Sequence, residues 1–318
     1  EYLKSHPEEY ERRGITQKVI QKQKFYYLTE EGVKARELSK NIKQRTYDFS
    51  SRKPVYLGLK NPYVNFMNEI KQKLVGLGFE EIRTNIVENE FWNMDALFMP
   101  QFHPARTTHD VYYIENPKLS KQIDNKYVKA VKRAHEKGIS GSKGWRYKFD
   151  INKSRRLIPR SHGTASSARI LPFVKSPGKY FTIARCFRKD EIDATHLPDF
   201  YQLDGIVVSE NTNIRTLLGM LSTLVKELSG INKLRFYPAY FPYTEPSVEV
   251  FAYHEKHGWI EMGGAGIFRP EVTKPFGIKS PVIAWGLGFD RMAMFKLRYN
   301  DIRDLFTTDL ERLRSCQQ

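Results

Sequence analysis

An arginine that follows a run of small side chains is the first feature of the sequence that could do chemistry. In the strand predicted from Tyr180 to Arg188, period-two alternation places Thr182, Ala184, Cys186 and Arg188 on one face. Small side chains leave room above a sheet, and arginine supplies a permanently charged, forked donor. The pattern therefore suits a phosphate-bearing ligand that lies on the sheet.

A second predicted strand, Phe200 to Ser209, returns antiparallel after a polar loop and brings Phe200 near Arg188. Phe200, Gln202 and Asp204 share one face of this strand. An aromatic ring beside such an arginine can stack on a nucleobase. Gln202 and Asp204 can accept hydrogen bonds from an ammonium group. The alternative for these residues is a polar-faced hairpin at the surface.

A glycine-rich turn near the C-terminus supplies the second half of the pattern. The apolar strand predicted from Val282 to Leu287 runs through Gly286 to Gly288, and a helix predicted from Asp290 to Lys296 carries Arg291. Glycine lets a backbone approach a ligand closely, and a helix N-terminus favours anions. A lone Gly-x-Gly is a weak signal, but the Arg188 hairpin followed by this turn is a specific combination.

The elements that must position these residues are mostly strands joined by hairpin-length loops. Further strands are predicted over Ser247–Tyr253 and Gly258–Gly263, with a helix near Arg215–Leu228. This order predicts the α+β class with a largely antiparallel sheet. An earlier helix is predicted to begin after an Asn61 cap, with Pro62 in its first turn, and to end at Gly78. Its apolar stripe comprises Tyr63, Phe66, Met67, Ile70, Leu74 and Leu77.

Composition limits the class of protein. The 318 residues include 52 Lys and Arg but only 36 Asp and Glu, which gives a net charge of +16. This excess of positive charge favours a polyanionic partner, and a solvated basic surface is the alternative. Cys186 and Cys316 fit neither a disulfide scaffold nor a zinc ribbon, and a reducing cytoplasm is expected. No apolar run approaches the roughly 20 residues of a membrane span, and no signal peptide is recognised. Because the chain starts at Glu1, we expect a piece of something longer.

The two arginine motifs resemble motifs 2 and 3 of class II aminoacyl-tRNA synthetases. Other segments narrow the resemblance to the alpha-subunit family of phenylalanyl-tRNA synthetases, in its archaeal and eukaryotic cytosolic form. The resemblance runs in order from about Lys53 to Arg314. The segments that carry it are Phe91–Phe98, His103–Arg106, Gly141–Tyr147, Asp193–His196, Pro242–Pro246 and Gly263–Glu271.

The resemblance implies a fold and an activity. The fold would be the class II catalytic domain over residues 51–318, an antiparallel sheet flanked by helices. Residues 1–50, with a strand at Lys24–Thr29 and a helix from Glu30, would be a winged-helix remnant and linker; a solvated linker is the alternative. The activity would be ATP-dependent formation of phenylalanyl-adenylate and transfer to tRNA(Phe). The cofactors would be ATP and Mg²⁺. The partner would be a beta subunit, which would carry the editing site, and the two subunits would form an (αβ)2 heterotetramer.

The resemblance also assigns residues to ATP. Arg188 would hold the α-phosphate and Arg291 the γ-phosphate as the catalytic pair, with Phe200 stacked on adenine. Asp190, His196, Glu249 and Gly288 would complete the ATP site, and Glu249 and Glu261 would contact magnesium.

The amino-acid end is assigned in the same way. His162, Thr164, Gln202 and Asp204 would bind the polar groups. Phe241 and Tyr243 would flank the phenyl ring, while Ala265 and Gly266 would shape the floor.

Three segments depart from the family pattern. Phe-Arg-x-Glu is here Phe187–Asp190, Arg-Thr-His-Thr is Arg160–Gly163, and Phe-His-Gln with Glu two residues on is Phe200–Asp204. These departures put details of the adenine and ammonium contacts in doubt.

Other functions stay open from the sequence: a class II synthetase for phosphoserine, a paralogue that does not charge tRNA, or a non-catalytic nucleic-acid-binding module. The first would need cationic or hydroxyl-rich groups where Phe241, Tyr243 and Ala265 stand. The last would not need Gly286, Gly288 and Arg291.

A basic stretch from 115 to 156 also has two interpretations. It contains thirteen Lys and Arg residues, interrupted by Gly141, Gly144 and Trp145. It could contact tRNA, with an aromatic available for stacking, or form a solvated helical face.

Overall fold

The computed structural model describes residues 7–14, 16–20, 24–40, 60–107, 110–121 and 123–315. The chain divides into two compact units, Glu1–Gly58 and Leu59–Gln318.

The first unit contains helix α1 (Pro7–Arg12), an antiparallel hairpin of β1 (Thr16–Ile20) and β2 (Lys24–Leu28), and helix α2 (Glu30–Ser39). Thr29 ends the predicted strand because it becomes the cap of α2, where its Oγ1 accepts from the backbone N of Gly32 at 3.1 Å. The hydroxyl also donates to the Gly14 carbonyl at 3.0 Å. The assignment of residues 1–50 to a winged-helix remnant stays a prediction.

A seven-stranded sheet forms the centre of the second unit, as the α+β prediction requires. Its order is β3-β6-β7-β11-β10-β9-β8, and every neighbouring pair is antiparallel except β3 and β6. The strands are β3 (Glu80–Glu81), β6 (Gly178–Phe187), β7 (Asp199–Val208), β8 (Leu234–Phe241), β9 (Thr244–His254), β10 (Gly258–Phe268) and β11 (Val282–Gly288). A separate two-stranded ladder pairs β4 (Val87–Asn89) with β5 (Leu157–Pro159).

Helices cover both faces of the sheet. They are α3 (Pro62–Gly76), α4 (Glu90–Asn93), α5 (Asn125–Lys137), α6 (Ile151–Ser154), α7 (Thr164–Ile170), α8 (Ile214–Ser229), α9 (Pro270–Thr273), α10 (Phe289–Leu297) and α11 (Leu310–Ser315). One hydrophobic cluster joins α3, α8 and α10 to one face, and a second joins α4, α5, α7 and α9 to the other. No helix in the described ranges is long and apolar enough to cross a membrane.

The helix predicted after Asn61 forms largely as its sequence indicates. Asn61 Oδ1 accepts from the backbone N of Tyr63 and of Val64, and Pro62 occupies the first turn. The stripe Tyr63, Phe66, Ile70 and Leu74 is buried. Leu77 was wrongly included in that stripe: it is the C-cap residue, and its side chain is 50% exposed because the helix has already ended.

Strand β8 was not predicted. It carries Pro238, which weakens a strand pattern because proline donates no backbone hydrogen bond. The strand is nevertheless the edge of the sheet, where a residue without an N–H is tolerated. Its last residue, Phe241, reaches the site described below.

Candidate active site

A cavity of about 600 Å³ is lined by residues of β7, β10 and β11 and of the first turn of α10. The walls bring together most residues that the sequence singled out. Those lining it are His162, Thr164, Arg188, Asp190, His196, Phe200, Gln202, Phe241, Tyr243, Glu261, Ala265, Gly288 and Arg291. Asp204, Glu249 and Gly266 do not line it.

The β6–β7 hairpin fixes the first arginine. Cys186 pairs with Phe200 across the two strands, and the backbone N of Arg188 donates to the Pro198 carbonyl at 2.9 Å. The guanidinium carbon lies 5.1 Å from the centroid of the Phe200 ring. Its Nε donates to the Ser161 carbonyl at 2.8 Å, while the Nη groups have no protein partner in the described part of the chain. One side of the fork is therefore anchored and the other can bind an anion.

The first turn of α10 carries the second arginine. Arg291 Nη1 donates to the Glu261 carbonyl at 2.6 Å, and Nη2 lies 3.0 Å from Nε2 of His196. Because a guanidinium can only donate, His196 Nε2 must accept and the ring proton must be on Nδ1. That nitrogen lies 3.0 Å from both carboxylate oxygens of Asp193. Asp193 therefore sets the tautomer that lets His196 hold Arg291.

Asp290 anchors this turn from behind. Its buried carboxylate accepts from the Tyr201 backbone N at 2.9 Å and from the Tyr63 hydroxyl. Burial raises the pKa of Asp290 to about 7. The start of α10 is thus tied to both β7 and α3.

Gly286 and Gly288 in the turn differ in the space that the structure leaves for a side chain. A Cβ at Gly286 would lie 2.2 Å from Gln202 Nε2, so a side chain there must displace Gln202. A Cβ at Gly288 would meet only Arg291, at 3.4 Å, which is an ordinary contact. A side chain at 286 would therefore move Gln202, whereas space is left beside 288.

Polar groups meet at the Gln202 end of the cavity. Gln202 Oε1 accepts from the Gly163 backbone N at 2.8 Å. Behind it, Asp204 accepts from Thr164 Oγ1 at 2.8 Å and from the Ser167 hydroxyl. Asp204 is fully buried, and burial raises its pKa to about 7. Asp204 thus lies behind Thr164, from whose hydroxyl it accepts a hydrogen bond, and it does not line the cavity.

His162 is an unpaired polar group in the cavity wall. Both ring nitrogens are buried and lack a hydrogen-bond partner among the described residues. Burial, with the nearby charge of Arg188, lowers the pKa of His162 to about 3, so the ring is neutral. A neutral imidazole can donate through one nitrogen and accept through the other, so His162 can make polar contacts with a ligand.

An aromatic slot forms the apolar end. The rings of Phe241 and Tyr243 stack with centroids 5.8 Å apart and planes at 21°. Phe241 lies over Gly264, where a Cβ would come within 2.4 Å of the ring. Burial raises the pKa of Tyr243 to about 12, so its hydroxyl stays neutral.

Ala265 and Gly266 were expected to shape the floor of the slot, and Ala265 lines the cavity. Ala265 pairs with Val248 and Trp285, and its side chain belongs to the cluster under α3, α8 and α10. Gly266 faces Thr244, whose Cβ would lie 2.5 Å from an added methyl, and does not line the cavity. Ala284 lies on the cavity face with Gly286 and lines the wall. Alternation along β11 could have identified it.

Two carboxylates lie on the same face near Arg291. Glu261 pairs with Phe251, two residues from Glu249 on β9, so both carboxylates project from the cavity face. Neither makes an ion pair within the described ranges. No group of three or more His, Cys, Asp or Glu residues that could hold a metal occurs there. One or two carboxylates fit Mg²⁺, which keeps several waters and uses substrate phosphates as its other ligands.

Comparisons with known proteins agree with this geometry. Residues 46–316 match the family model of the tRNA synthetases class II core domain (F). The chain belongs to this family. The phenylalanine–tRNA ligase alpha subunit of Borreliella burgdorferi is 54% identical over 256 residues, 80% of this chain and 48% of that protein. The alpha subunit of Thermococcus gammatolerans is 46% identical over 306 residues, 95% of this chain and 61% of that protein.

These relatives confirm the resemblance seen in the motifs, and the chain spans about half the length of the curated relatives it matches. A crystal structure of pyrrolysyl-tRNA synthetase from Desulfitobacterium hafniense superposes with a TM-score of 0.53, covering 88% of this chain and 80% of that one. Its 14% identity makes this a likeness of fold. The predicted class II fold is confirmed.

The class II domain also contains site residues that the sequence did not single out. Met94, Met99, Ala105 and Val111 extend the apolar wall beside Tyr243. A buried network supports this segment: Arg106 contacts Asp95 at 2.7 Å and Glu90 at 3.4 Å. Glu90 also accepts from Arg156 at 2.8 Å and from the Tyr113 hydroxyl at 2.6 Å. No sequence pattern indicates such a long-range network.

Proposed function

We propose that the chain activates L-phenylalanine with ATP and transfers it to tRNA(Phe). One observation carries the proposal: two anchored guanidinium groups, Arg188 and Arg291, face a cavity whose other end is the Phe241–Tyr243 slot. A triphosphate at the first end and a phenyl ring at the second would bring a carboxylate to the α-phosphate. The alpha-subunit relatives named above support the same assignment.

Activation needs positioning and charge neutralisation rather than a protein nucleophile. The phenylalanine carboxylate oxygen attacks the α-phosphorus, a new P–O bond forms, and the bond to the leaving pyrophosphate breaks. Arg188, with its free Nη edge beside Phe200, would neutralise the α-phosphate while the ring stacks on adenine. Arg291, held by Glu261 and His196, would bind the γ-phosphate. Asp190, at the cavity wall, would contact the nucleotide.

Magnesium fits the same end. Glu261 at the cavity wall and Glu249 on the same face would hold it. The ion would supply positive charge against the β- and γ-phosphates.

At the other end, the Thr164 hydroxyl would bind the ammonium group. Thr164 donates a hydrogen bond to Asp204, so its oxygen lone pairs remain available to accept a hydrogen bond from the ligand. Gln202 and neutral His162 offer further polar contacts. Packing against Phe241 and Tyr243 suits a phenyl ring. A slot of this kind rejects an added hydroxyl only weakly, about 100-fold, so editing by a partner is expected.

The assembly is part of the proposal. A beta subunit in an (αβ)2 heterotetramer, with the editing site on that subunit, and a cytoplasmic location follow from the alpha-subunit family to which the chain is similar.

The experiment is amino-acid-dependent ATP–pyrophosphate exchange across the twenty amino acids, with the beta subunit co-expressed. Exchange with phenylalanine alone is the expected result. Exchange with a different amino acid would contradict the slot assignment and keep the nucleotide site. No exchange in the presence of the partner would contradict activation itself.

A further inference from the structure

The positive charge of the chain is concentrated in one short segment. Residues 125–153 contain nine Lys and Arg residues and two carboxylates, a net charge of +7 out of the +16 of the whole chain. All nine cationic side chains are exposed. We call them the basic surface: Lys126, Lys129, Lys132, Arg133, Lys137, Lys143, Arg146, Lys148 and Lys153.

The helical part of the basic surface is one stripe. Lys126, Lys129, Arg133 and Lys137 recur every three or four residues along α5 and therefore share a face. The opposite side of α5, with Val131 and Ala134, packs into the second hydrophobic cluster. Repulsion within such a stripe is unfavourable unless a partner neutralises it.

The chain itself supplies little neutralisation. Within the described residues, the basic surface makes a single ion pair, between Lys132 and Glu136 at 3.8 Å. An ordinary solvated helix alternates charges of both signs, which offsets the repulsion. The remaining cations of the basic surface therefore have no ion-pair partner among the described residues and are available to bind a polyanion.

The loop after α5 holds its cations in fixed positions. The backbone N of Trp145 donates to the His135 carbonyl at 2.7 Å, and its indole N–H donates to the Phe98 carbonyl at 2.9 Å. Gly144 lies against α5, since a Cβ there would be 2.6 Å from the His135 carbonyl oxygen. The loop is thus built onto the last turn of α5, and Lys143, Arg146 and Lys148 are exposed on it.

The backbone of this loop is strained at two non-glycine residues. Ser140 has φ 58° and Arg146 has φ 59°, a left-handed conformation that costs about 1–2 kcal/mol per residue. Strained conformations persist where the surroundings determine them, and they concentrate at functional sites. Arg146 is exposed and directly follows the anchored Trp145.

The basic surface is separate from the candidate active site. None of residues 125–153 lines the cavity. Phosphate contacts made here would therefore position an RNA without taking part in adenylate formation.

We infer that the basic surface binds the phosphate backbone of the RNA substrate. The identity of that RNA rests on the proposed function. The assignment of this surface to RNA binding rests on charge complementarity. The cations suit an extended polyanion rather than a single anion, because they extend along a helix of 13 residues and the loop after it.

The test uses the full-length protein with its co-expressed beta subunit and a tRNA(Phe) transcript. The variant Lys143→Gln/Arg146→Gln/Lys148→Gln removes three charges from the loop. The matched control Arg215→Gln/Lys226→Gln/Lys296→Gln removes three exposed charges from α8 and α10, on the other side of the sheet. Binding is measured from 50 to 300 mM salt, and ATP–pyrophosphate exchange is measured in parallel.

We expect the loop variant to bind tRNA at least about tenfold more weakly near physiological salt, with a salt slope smaller by about 2, since each phosphate contact contributes roughly 0.7–0.9. Exchange and the control variant should be unchanged. Unchanged affinity and slope in the loop variant would overturn the inference. Equal weakening in both variants would also overturn it, because binding would then follow total charge. So would loss of the beta subunit with tRNA binding intact, since the surface would be a protein interface.

If wild-type exchange itself fails, the proposed function fails, and the inference is judged by the difference between the two variants in RNA binding alone. A tenfold difference there would still support an RNA-binding surface.

Discussion

The phosphate end and the amino-acid end of the cavity are built in different ways. At the phosphate end, Arg188 and Phe200 are brought together by the register of two neighbouring strands. At the amino-acid end, His162, Tyr243 and Ala284 come from distant segments, and the wall beside Tyr243 depends on the buried Glu90–Arg106 network. The register of neighbouring strands is therefore enough to position the charged group at the phosphate end. Long-range packing, in contrast, determines the shape of the amino-acid end, which selects the ligand's side chain.

The largest effect should come from breaking the phosphate end. Arg188→Ala should lower phenylalanine-dependent exchange by about 100- to 1000-fold, because it removes a preorganised charge from the transferred phosphate. The matched control is Arg185→Ala on the same strand, where Arg185 pairs with Asp199 and does not line the cavity. Retained exchange in Arg188→Ala, with a folded protein by circular dichroism, would refute its role.

The second largest effect on exchange should come from a substitution between the two ends of the cavity. Gly286→Ala should displace Gln202 and lower exchange by about 100-fold, the usual effect of a misplacement near 1 Å. It should raise the KM for phenylalanine. Gly288→Ala should fold with unchanged thermal stability, because the protein has room for its Cβ. If thermal unfolding shows Gly288→Ala to be the less stable of the two, the comparison of the two glycines is wrong.

A substitution in the floor of the slot should show which residue determines the shape of the amino-acid end. Ala284→Gly should admit para-chlorophenylalanine, raising its exchange relative to phenylalanine by about tenfold, the scale of one pocket methyl group. Ala265→Gly should leave selectivity unchanged and destabilise the fold by about 1 kcal/mol, because its methyl lies in the core. The reverse pattern of selectivity would place Ala265 at the floor, as the sequence first indicated.

The smallest effect should come from the Asp193–His196 pair behind Arg291. Asp193→Asn keeps the oxygen that accepts from the backbone N of Thr195 and His196 but removes the charge facing His196 Nδ1. We expect the KM for ATP to rise about threefold with kcat little changed, because exposed ion pairs contribute little. Asp193→Ala, which also breaks the turn, should have the larger effect. Equal ATP dependence in both variants and the wild type would contradict the positioning role.

The phosphate end could be predicted from the sequence because its information is local. Alternation placed Arg188, Phe200 and Gln202 on one face, and the antiparallel ladder between Gly178–Phe187 and Asp199–Val208 confirms that placement. Strand β8 escaped prediction because only its edge position makes Pro238 acceptable. Asp204 was expected at the ligand, yet Thr164 and Ser167 already take its oxygens, which requires knowledge of α7. Ala265 was assigned to the floor by resemblance and that role stays a prediction: the residue lines the cavity, while its side chain belongs to the cluster under α3, α8 and α10.

The most direct test is a structure of the full-length protein with its beta subunit and a non-hydrolysable sulfamoyl analogue of phenylalanyl-adenylate. We expect the sulfamoyl group within hydrogen-bond distance of the Arg188 Nη groups, with adenine against Phe200 and the phenyl ring against Phe241 and Tyr243, above Ala284. An analogue with its phenyl ring outside that slot, or with its sulfamoyl group away from Arg188, would contradict the assignment of the two ends to one active site.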